Sequence, residues 1–399
     1  MPIDYDLSGP DIFADPYPLY RRLRSDHPVH LDSHLGCWVV TSYEAVSAGL
    51  AHRALSSERV MRGTILQDPA WAELLPLFSS ISNLMFYADP PRHTHIRSLI
   101  NRALSARMVE TWREHIQHIV NTLLDQVEGQ GNMDVIADLA FPLPAQVIAD
   151  MLGIPPHDRQ QFKRWSDDLV DFLGNPPTLE LCKRLLQSIK DFTCYLREVV
   201  ADHQCHPRGD LVDALLQKDE QEQELTEEEL LMNCVGLFVG GHETTTNAIG
   251  NGLLALLQNE GELQKLRNDP ALISSAVEEC LRYDSPVQFT ARSALQTTEI
   301  GAKKVYKGQS VMLMLGAANR DPAVFAAPDT FDISRQYNRH LAFGQNIHYC
   351  IGAPVARLEM RVVLETMLKR LPSLHLADEQ LVWNENLSFH GVKKLSVLF

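Results

Sequence analysis

The chain lacks any long apolar run. Its best apolar stretches, at residues 235–239 and 253–257, fall well short of the ~18 residues that a membrane-spanning helix needs. The amino terminus, MPIDYDLSGPDIF, has no basic start followed by an apolar segment, so we expect neither a signal peptide nor a membrane anchor. The sequence therefore predicts a soluble, cytoplasmic protein.

Paired cysteines and nucleotide-binding motifs are also missing. The seven cysteines form no CxxC pair and are odd in number, which argues against a disulfide framework and fits a reducing compartment. No GxGxxG, GxxxxGK or GxSxG motif occurs. Nucleotide cofactors and serine-hydrolase chemistry therefore have no support in the sequence.

Positive charge is scarce overall. The chain has 36 Lys and Arg against 51 Asp and Glu, a net charge of −15, which argues against nonspecific nucleic-acid binding. Residues 92–113 depart from this balance, with five arginines and a single acid, Glu110. This segment is either a solvated helix face or a docking patch for an acidic partner.

Helical periodicity dominates the chain. A length of 399 residues by itself predicts two or three domains, but no linker or repeat divides the sequence. We therefore predict one mainly α domain over residues 1–399, with small β-sheets near 30–60 and 285–399 packed on the helical part. Helices are expected at 15–24, from 89, at 106–127, 141–152, 226–258 and 269–283, and residues 157–204 are expected to form helices joined by a proline-rich turn at 175–177. Strands are expected at 37–41, 285–294, 299–300 and 310–315, and irregular backbone at 56–88.

The most informative stretch is residues 343–352, FGQNIHYCIG. It places Cys350 in a glycine-flanked loop just before a helix-forming run that begins near Ala353. A thiolate there is stabilised by unpaired backbone N–H groups and by the positive end of the helix dipole. That setting suits a heme-ligating cysteine, although a lone cysteine is more commonly a small buried side chain.

The loop resembles the heme-binding loop of the cytochrome P450 family. That pattern runs Phe, two residues, Gly, one residue, a basic residue, one residue, Cys, one residue, Gly. Phe343, His348, Cys350 and Gly352 match it, whereas Asn346 stands where the family has its first glycine. Asn tolerates the left-handed backbone that this glycine would adopt. If Asn346 is not left-handed, the loop near the thiolate differs from that of the family.

The resemblance implies a triangular, mainly helical fold with heme b, iron protoporphyrin IX, between a long central helix and the helix that follows the cysteine. It implies that Cys350 ligates the metal and that Phe343, His348 and Gly352 bind the cofactor. The implied activity is a monooxygenase that inserts one oxygen atom from O2 into a carbon of an apolar small molecule, by hydroxylation or epoxidation.

The long central helix contains the run GGHETT. Gly240 and Gly241 each cost about 1 kcal/mol relative to alanine in a helix interior, and close approach of a flat cofactor would justify them. Glu243 and Thr244 place a carboxylate beside a hydroxyl, which resembles the family's acid–alcohol pair for proton transfer. The alternative is a helix–helix contact through the glycines with a polar, solvated edge.

Glu279 and Arg282 lie three apart and share a helix face. Surface pairs of this kind are common and contribute little. The resemblance implies that this ExxR pair is buried and structural, with an arginine between Asp321 and Arg339 as third partner.

Heme propionates are anions that need cationic donors. His93 and Arg97 lie four apart and share a helix face, Arg292 lies in a β-like segment, and His348 precedes the cysteine by two. All four correspond to propionate-binding positions of the family, although each taken alone is more commonly a surface residue.

A mostly apolar set of residues is expected to line the substrate site, which favours a medium-sized apolar substrate over a charged one. By family analogy, the substrate is an intermediate of bacterial natural-product biosynthesis. The expected lining comes from the 60–88 segment with Leu84, Met85 and Phe86, from the 169–180 turn region, from Leu237 and Gly240, and from the segment Val287 to Phe289.

Electrons must come from partner proteins, because the chain has no flavin or nicotinamide motif. The resemblance implies a ferredoxin and a ferredoxin reductase, and we expect an acidic ferredoxin to dock near Arg102, Arg107 and Arg113. Two alternatives stay open: a peroxygenase driven by peroxide, against which the Glu243–Thr244 pair counts, and a non-catalytic heme sensor or binding protein.

Overall fold

The structure is a computed structural model of the 399-residue chain. It describes residues 7, 9–58, 69–218, 223–378 and 380–399. Part of the segment expected to be irregular, residues 59–68, lies outside these ranges.

Sixteen α-helices run through the described residues, as the periodicity predicts. They are α1 (Pro10–Ala14), α2 (Tyr17–Asp26), α3 (Tyr43–Ala51), α4 (Leu75–Ser82), α5 (Arg92–Ala103), α6 (Ala106–Thr111), α7 (Arg113–Asp125), α8 (Pro142–Met151), α9 (Arg159–Gly174), α10 (Leu179–Cys205), α11 (Leu211–Leu215), α12 (Glu227–Gln258), α13 (Glu260–Asn268), α14 (Ile273–Tyr283), α15 (Leu315–Ala318) and α16 (Ala353–Arg370).

Twelve short strands form four small sheets in these ranges. The strands are β1 (Val29–Asp32), β2 (Cys37–Val40), β3 (Leu55–Ser56), β4 (Asn132–Asp134), β5 (Phe289–Ala294), β6 (Thr298–Ile300), β7 (Lys303–Val305), β8 (Ser310–Met314), β9 (His375–Leu376), β10 (Val382–Trp383), β11 (Val392–Lys394) and β12 (Ser396–Leu398). The largest sheet has the order β1-β2-β8-β5-β3; the others are β4-β12-β9, β10-β11 and β6-β7. The mainly α fold with small sheets is confirmed.

The central helix α12 begins as its sequence predicts. The Thr226 hydroxyl accepts a hydrogen bond from the Glu229 amide at 3.2 Å, and the Glu229 carboxylate accepts one from the Thr226 amide at 3.1 Å. This capping box satisfies two amides that the helix itself leaves unpaired. The helix then continues for 32 residues.

The chain forms two compact units, which are described separately. Unit 1 comprises residues 1–55, 112–143 and 244–399, and unit 2 comprises residues 56–111 and 144–243. The expectation of one domain over residues 1–399 stays a prediction.

The core of unit 1 lies against its largest sheet. β2 and β8 pair in parallel, with Val40 opposite Leu313, and β5 pairs antiparallel with β8. Helix α3 packs closely here, because a Cβ added at Gly49 would lie 2.6 Å from the Leu313 side chain. This sheet fixes the strand that carries Arg292.

The core of unit 2 is aromatic. Phe162 lies edge-on to Phe192 and to Trp165, with ring centroids 4.8 and 5.3 Å apart. The ring centroid of Phe238, in α12, lies 5.4 Å from that of Phe162. Helices α9 and α10 thereby fix the part of α12 that lies in unit 2, which ends with Gly240 to Glu243 of the GGHETT run.

Several predicted boundaries were wrong. Residues 69–87 form a 3₁₀ helix, α4 and a second 3₁₀ turn rather than irregular backbone. The helix predicted at 106–127 is broken at Trp112 into α6 and α7. The strand at 37–41 was predicted, but its partner at 29–32 was missed, since four residues give too few alternations to recognise.

Candidate active site

The cysteine loop in unit 1 is closed by its own backbone. The Cys350 amide donates to the Phe343 carbonyl at 2.8 Å, and the Tyr349 amide donates to the Asn346 carbonyl at 3.0 Å. Helix α16 follows, with a proline in its first turn, where the missing N–H costs nothing. The thiol is exposed, so it is not the small buried side chain that a lone cysteine usually is.

Two loop residues have left-handed backbone. Gly344 has φ of 67° and Asn346 has φ of 63°. Asn346 thus adopts the conformation expected of a residue that replaces a loop glycine, because its short polar side chain tolerates this region.

Glu279 is fully buried in the interior of unit 1. Its carboxylate accepts from Arg282 Nε and Nη2 at 2.7 and 2.8 Å, and from Arg335 Nε at 3.1 Å. Glu279 and Arg282 have no exposed side-chain surface. Arg335 is the third partner expected between residues 321 and 339. Arg282 also donates to the carbonyls of Asn319 and Pro328, which ties α14 to the segment before the cysteine loop.

Glu278, the preceding residue, belongs to a second ion-pair cluster. It accepts from Arg357 Nε and Nη2 at 2.6 and 2.8 Å and lies 3.0 Å from His340 Nε2. Arg357 also donates to the Tyr349 hydroxyl at 2.9 Å, and its guanidinium lies 4.4 Å from the centroid of the Phe343 ring. This cluster therefore contacts the cysteine loop directly.

The two expected propionate ligands of unit 1 differ in exposure. Arg292 in β5 is buried and donates to the Ala291 carbonyl at 2.7 Å and to the Thr290 hydroxyl at 3.0 Å. His348 is only half-buried, in the 3₁₀ turn before Tyr349.

In unit 2, the two glycines of GGHETT have different surroundings. A Cβ added at Gly241 would lie 3.4 Å from Ile148, so this glycine serves a helix–helix contact. A Cβ added at Gly240 would meet nothing within 4 Å, although Gly240 lies in the interior of α12. Each of the two interpretations of the sequence therefore fits one glycine: Gly241 packs, and Gly240 leaves open space beside the helix.

Glu243 and Thr244 follow on α12 and are both half-buried. They are consecutive helical residues, so their side chains point about 100° apart around the helix axis. The boundary between the two units falls between them.

His93 and Arg97 lie on α5 in unit 2. His93 is almost fully buried, whereas Arg97 is half-buried. Burial and, to a smaller extent, the Arg97 charge lower the pKa of His93 to about 4. His93 is therefore a neutral hydrogen-bonding group beside a cation at neutral pH.

The expected substrate-lining residues of unit 2 are not equivalent. Leu84 is fully buried, and a Cβ at Gly236 would lie 2.7 Å from its side chain, so Leu84 is packed as a core residue. Met85, Phe86 and Leu237 are half-buried and retain open surface.

In unit 1, Val287 and Phe289 are half-buried at the start of β5. Val287 forms a bridge with Phe389 and packs on the core of the largest sheet. Phe289 lines a small cavity of about 30 Å³ together with Leu35, Met312 and Met314. That volume holds about two water molecules, so the cavity is not a substrate site by itself.

These residues fit a heme group in chemical terms. A thiol at a helix start is the soft ligand of heme-thiolate iron. His93, Arg97, Arg292 and His348 are the donors that carboxylates need. The open space beside Gly240 suits the close approach of a flat ring to a helix backbone.

Comparison with known proteins decides the family. The family profile described as Cytochrome P450 matches residues 67–386. The chain belongs to the cytochrome P450 family. Members carry heme b, and the protein is a P450 monooxygenase, an oxidoreductase.

Relatives of this P450 extend over its full length. The chain is 38% identical over 402 residues to the biotin biosynthesis cytochrome P450 of Bacillus subtilis (strain 168), which covers 100% of both chains. It is 37% identical over 404 residues to the cytochrome P450 monooxygenase PikC of Streptomyces venezuelae, covering 99% of this chain and 94% of PikC.

Solved P450 structures share the fold. P450BioI in complex with a hexadec-9Z-enoic acid ligated acyl carrier protein aligns with a TM-score of 0.89 and 38% identity, covering 98% of this chain and 99% of that one. The bacillaene polyketide synthase P450 PksS of Bacillus subtilis 168 aligns with a TM-score of 0.90 and 32% identity, covering 99% of both chains. Within the described ranges of this P450, no helix has the length and hydropathy needed to cross a membrane.

Sequence reasoning missed Glu278, Arg357 and Tyr349. One signal was available: two consecutive acids open the ExxR motif, and consecutive helix positions point about 100° apart. Both acids lie within helical reach of Arg282, Glu278 four residues before it and Glu279 three, so the spacing did not say which of them pairs with Arg282 and which needs a partner elsewhere. The spacing could not say that this partner lies 79 residues away on α16.

Proposed function

We propose that this P450 uses Cys350 as the thiolate ligand of its heme and inserts one oxygen atom from O2 into an apolar small molecule, by hydroxylation or epoxidation. The observation that carries the proposal is the exposed Cys350 thiol, held at the start of α16 by the loop that Asn346 and Gly344 shape. When bound, the heme supplies dioxygen activation and oxygen transfer.

Cys350 would hold its sulfur in place through the backbone. Its amide is fixed on the Phe343 carbonyl, and Gly352 presents only a hydrogen where a Cβ would lie 4.0 Å from Sγ. Gly352 thus presents no side chain toward the sulfur. Cys350 also lies just before the amino-terminal, positive end of the α16 dipole, which favours a thiolate over a thiol.

Glu243 and Thr244 would move protons. The carboxylate of Glu243 exchanges protons with solvent, and the Thr244 hydroxyl both donates and accepts, so together they can relay a proton. Their half-buried state fits a pair that contacts both water and a protein interior.

His93, Arg97, Arg292 and His348 would bind the propionates of the cofactor. His93, uncharged at neutral pH, would donate a hydrogen bond, while Arg97 and Arg292 would supply positive charge. Gly240 would allow the flat cofactor ring to lie against α12.

The substrate is proposed to be apolar and to belong to bacterial natural-product biosynthesis. Met85, Phe86, Leu237, Val287 and Phe289 all retain partial exposure and are apolar. Leu84 would act only as support, because its side chain is fully buried. The biosynthetic context is supported by relatives named for biotin and polyketide biosynthesis.

A second substrate candidate is a fatty-acyl chain carried on an acyl carrier protein. It is favoured by the likeness to P450BioI, whose structure contains such a carrier. Titration of the ferric protein with palmitoleic acid, free and carrier-linked, would separate the two: a low-to-high-spin shift only with the carrier-linked acid supports this candidate, and a shift with neither counts against it.

The electron donors are proposed to be a ferredoxin and a ferredoxin reductase. Arg102 and Arg107 are exposed in unit 2, where Arg102 donates to the Lys218 carbonyl at 2.8 Å, and Arg113 in unit 1 lies 3.9 Å from Glu365. Neutralising the three arginines should lower the reduction rate by an acidic ferredoxin and flatten its salt dependence. An unchanged rate and salt slope would disprove the docking site.

A cytoplasmic location is part of this proposal, supported by seven free cysteines.

The carbon monoxide difference spectrum tests the central claim. A red-shifted Soret band in the wild-type protein, lost in Cys350→Ser, is expected from thiolate ligation; a wild-type protein without that band would disprove it. Turnover with surrogate ferredoxin and reductase, compared with peroxide alone, separates a monooxygenase from a peroxygenase. Absence of turnover in both would favour a heme sensor or binding protein.

A further inference from the structure

The cysteine loop is fastened to the protein at two residues that control the backbone of Cys350. Phe343 provides the carbonyl that accepts the Cys350 amide hydrogen bond at 2.8 Å. Tyr349 is joined to Cys350 by a peptide bond. The position of the sulfur therefore depends on where these two residues are held.

A single arginine contacts both of them. The guanidinium of Arg357 lies over the Phe343 ring, 4.4 Å from its centroid, and Nη1 donates to the Tyr349 hydroxyl at 2.9 Å. Stacking on the ring fixes the plane of the guanidinium, and the hydrogen bond fixes its direction. Arg357 lies in the second turn of α16, seven residues after Cys350, so the contacts depend on its long side chain reaching back.

The other edge of the Arg357 guanidinium is bound to Glu278 on α14. Nε and Nη2 of Arg357 bind both oxygens of Glu278, a bidentate pair that fixes its orientation. His340 also lies 3.0 Å from the same carboxylate. Burial raises the pKa of Glu278, but the hydrogen bonds from Arg357 and His340 outweigh it and lower the pKa to about 2. The anchor is therefore ionised throughout the neutral range.

We propose that Arg357 is a positioning residue for the Cys350 ligand: anchored by Glu278, it holds Phe343 and Tyr349 and places a fixed positive charge beside the thiolate loop. This role rests on the proposed heme ligation by Cys350. It differs from that of Glu279 and Arg282, which lie wholly in the interior.

Glu278 offsets part of the charge of Arg357, but the guanidinium is the member of the pair that contacts the loop, so its charge has two consequences there. It favours the thiolate over the neutral thiol, and it favours the reduced iron, which carries one positive charge less. Removing the charge should therefore weaken thiolate ligation and move the reduction potential to a more negative value. A change that removes the forked shape of the guanidinium but keeps the positive charge should loosen the loop and leave the reduction potential close to that of the wild type.

The experiment compares three variants as holoproteins. Arg357→Gln removes charge and fork, and Arg357→Lys keeps the charge alone. The control, Arg370→Gln, removes another ion-paired arginine of the same helix, which is bound to Asp125 and Glu128 and lies ~20 Å further along the axis. The readouts are the reduction potential, the rate at which the reduced carbon monoxide complex loses its thiolate band, and the urea midpoint.

In Arg357→Gln we expect a several-fold faster loss of the thiolate band and a more negative potential. Arg357→Lys should keep the potential close to wild type with an intermediate rate of band loss, and Arg370→Gln should change only the urea midpoint. If Arg357→Gln resembles Arg370→Gln in both potential and band, Arg357 is merely structural and the proposal is wrong. A wild-type protein without a thiolate band would instead overturn the proposed function, and this role with it.

Discussion

Glu278 and Glu279 are neighbours on one helix, yet their ion pairs are of different kinds. Glu279 and its partner Arg282 have no exposed surface, whereas Glu278 and Arg357 keep 28% and 29% of theirs. The interior pair binds backbone carbonyls of the segment before the loop. The outer pair binds side chains of the loop itself.

The two pairs therefore have different roles: the Glu279 pair stabilises the fold, and the Glu278 pair positions the candidate ligand loop. A fully buried ion pair is tolerated only when every charge and proton is satisfied, so losing one member leaves an uncompensated charge in the interior. When one member of a partly exposed pair is removed, water can solvate the charge that remains, so the loss costs less stability. Of these two adjacent acids, Glu279 stabilises the interior of the fold and Glu278 helps to hold the candidate ligand loop.

The largest effect is expected for Glu279→Gln. The change is isosteric, but it leaves Arg282 and Arg335 facing a neutral amide in the interior, which costs about 3–5 kcal/mol. Urea unfolding of the variant measures the loss, with Glu278→Gln as the matched control. Equal destabilisation by the two variants would remove the distinction between the pairs.

Glu278→Gln should cost about 1–2 kcal/mol at pH 7, because partial exposure discounts the strength of the pair. The folded pKa of about 2 lies below that of an unfolded glutamate, so the stabilisation is present above about pH 4.5 and is lost as pH falls toward 2. The difference in unfolding free energy between wild type and variant should shrink across this window. A difference that stays constant from pH 6 to pH 2.5 would contradict this assignment.

Substitutions at Asn346 change the backbone of the loop and leave the ion pairs of Glu278 and Glu279 intact. Asn346→Ala should cost about 1 kcal/mol because alanine is strained at φ of 63°, whereas Asn346→Gly should be neutral within about 0.5 kcal/mol. Urea midpoints and the stability of the thiolate band in carbon monoxide spectra check both variants. Equal behaviour of alanine and glycine would show that backbone strain at this position is unimportant.

The smallest effect is expected for Tyr349→Phe. It removes one hydrogen bond to Arg357 and leaves the contact with Glu278 and the Phe343 ring, so it should cost about 0.5–1 kcal/mol. A double-mutant cycle with Arg357→Gln measures the coupling between the two side chains. A coupling energy of zero would mean that the hydroxyl does not help to hold the loop.

Much of this could be predicted from the sequence because its signals are local. The capping box at Thr226 sets the start of α12, and the spacing of Glu279 and Arg282 puts them on one helix face. The short strand β1 was missed and α6 was merged with α7, because short elements carry too few repeats of their period. Leu84, predicted as a lining residue, is fully buried, and its part in the substrate site stays a prediction.

The sequence by itself determined the resemblance to the family and the cysteine loop, since these depend on residues close together in the chain or on a fixed order of motifs. It left the backbone conformation of Asn346 open, which the structure shows to be left-handed. Only the tertiary structure decided that Gly240 is open while Gly241 packs on Ile148. It also decided that Glu278 reaches an arginine 79 residues away beside the cysteine loop. The physical reason is that side-chain direction and long-range contact arise from packing, which local spacing does not encode.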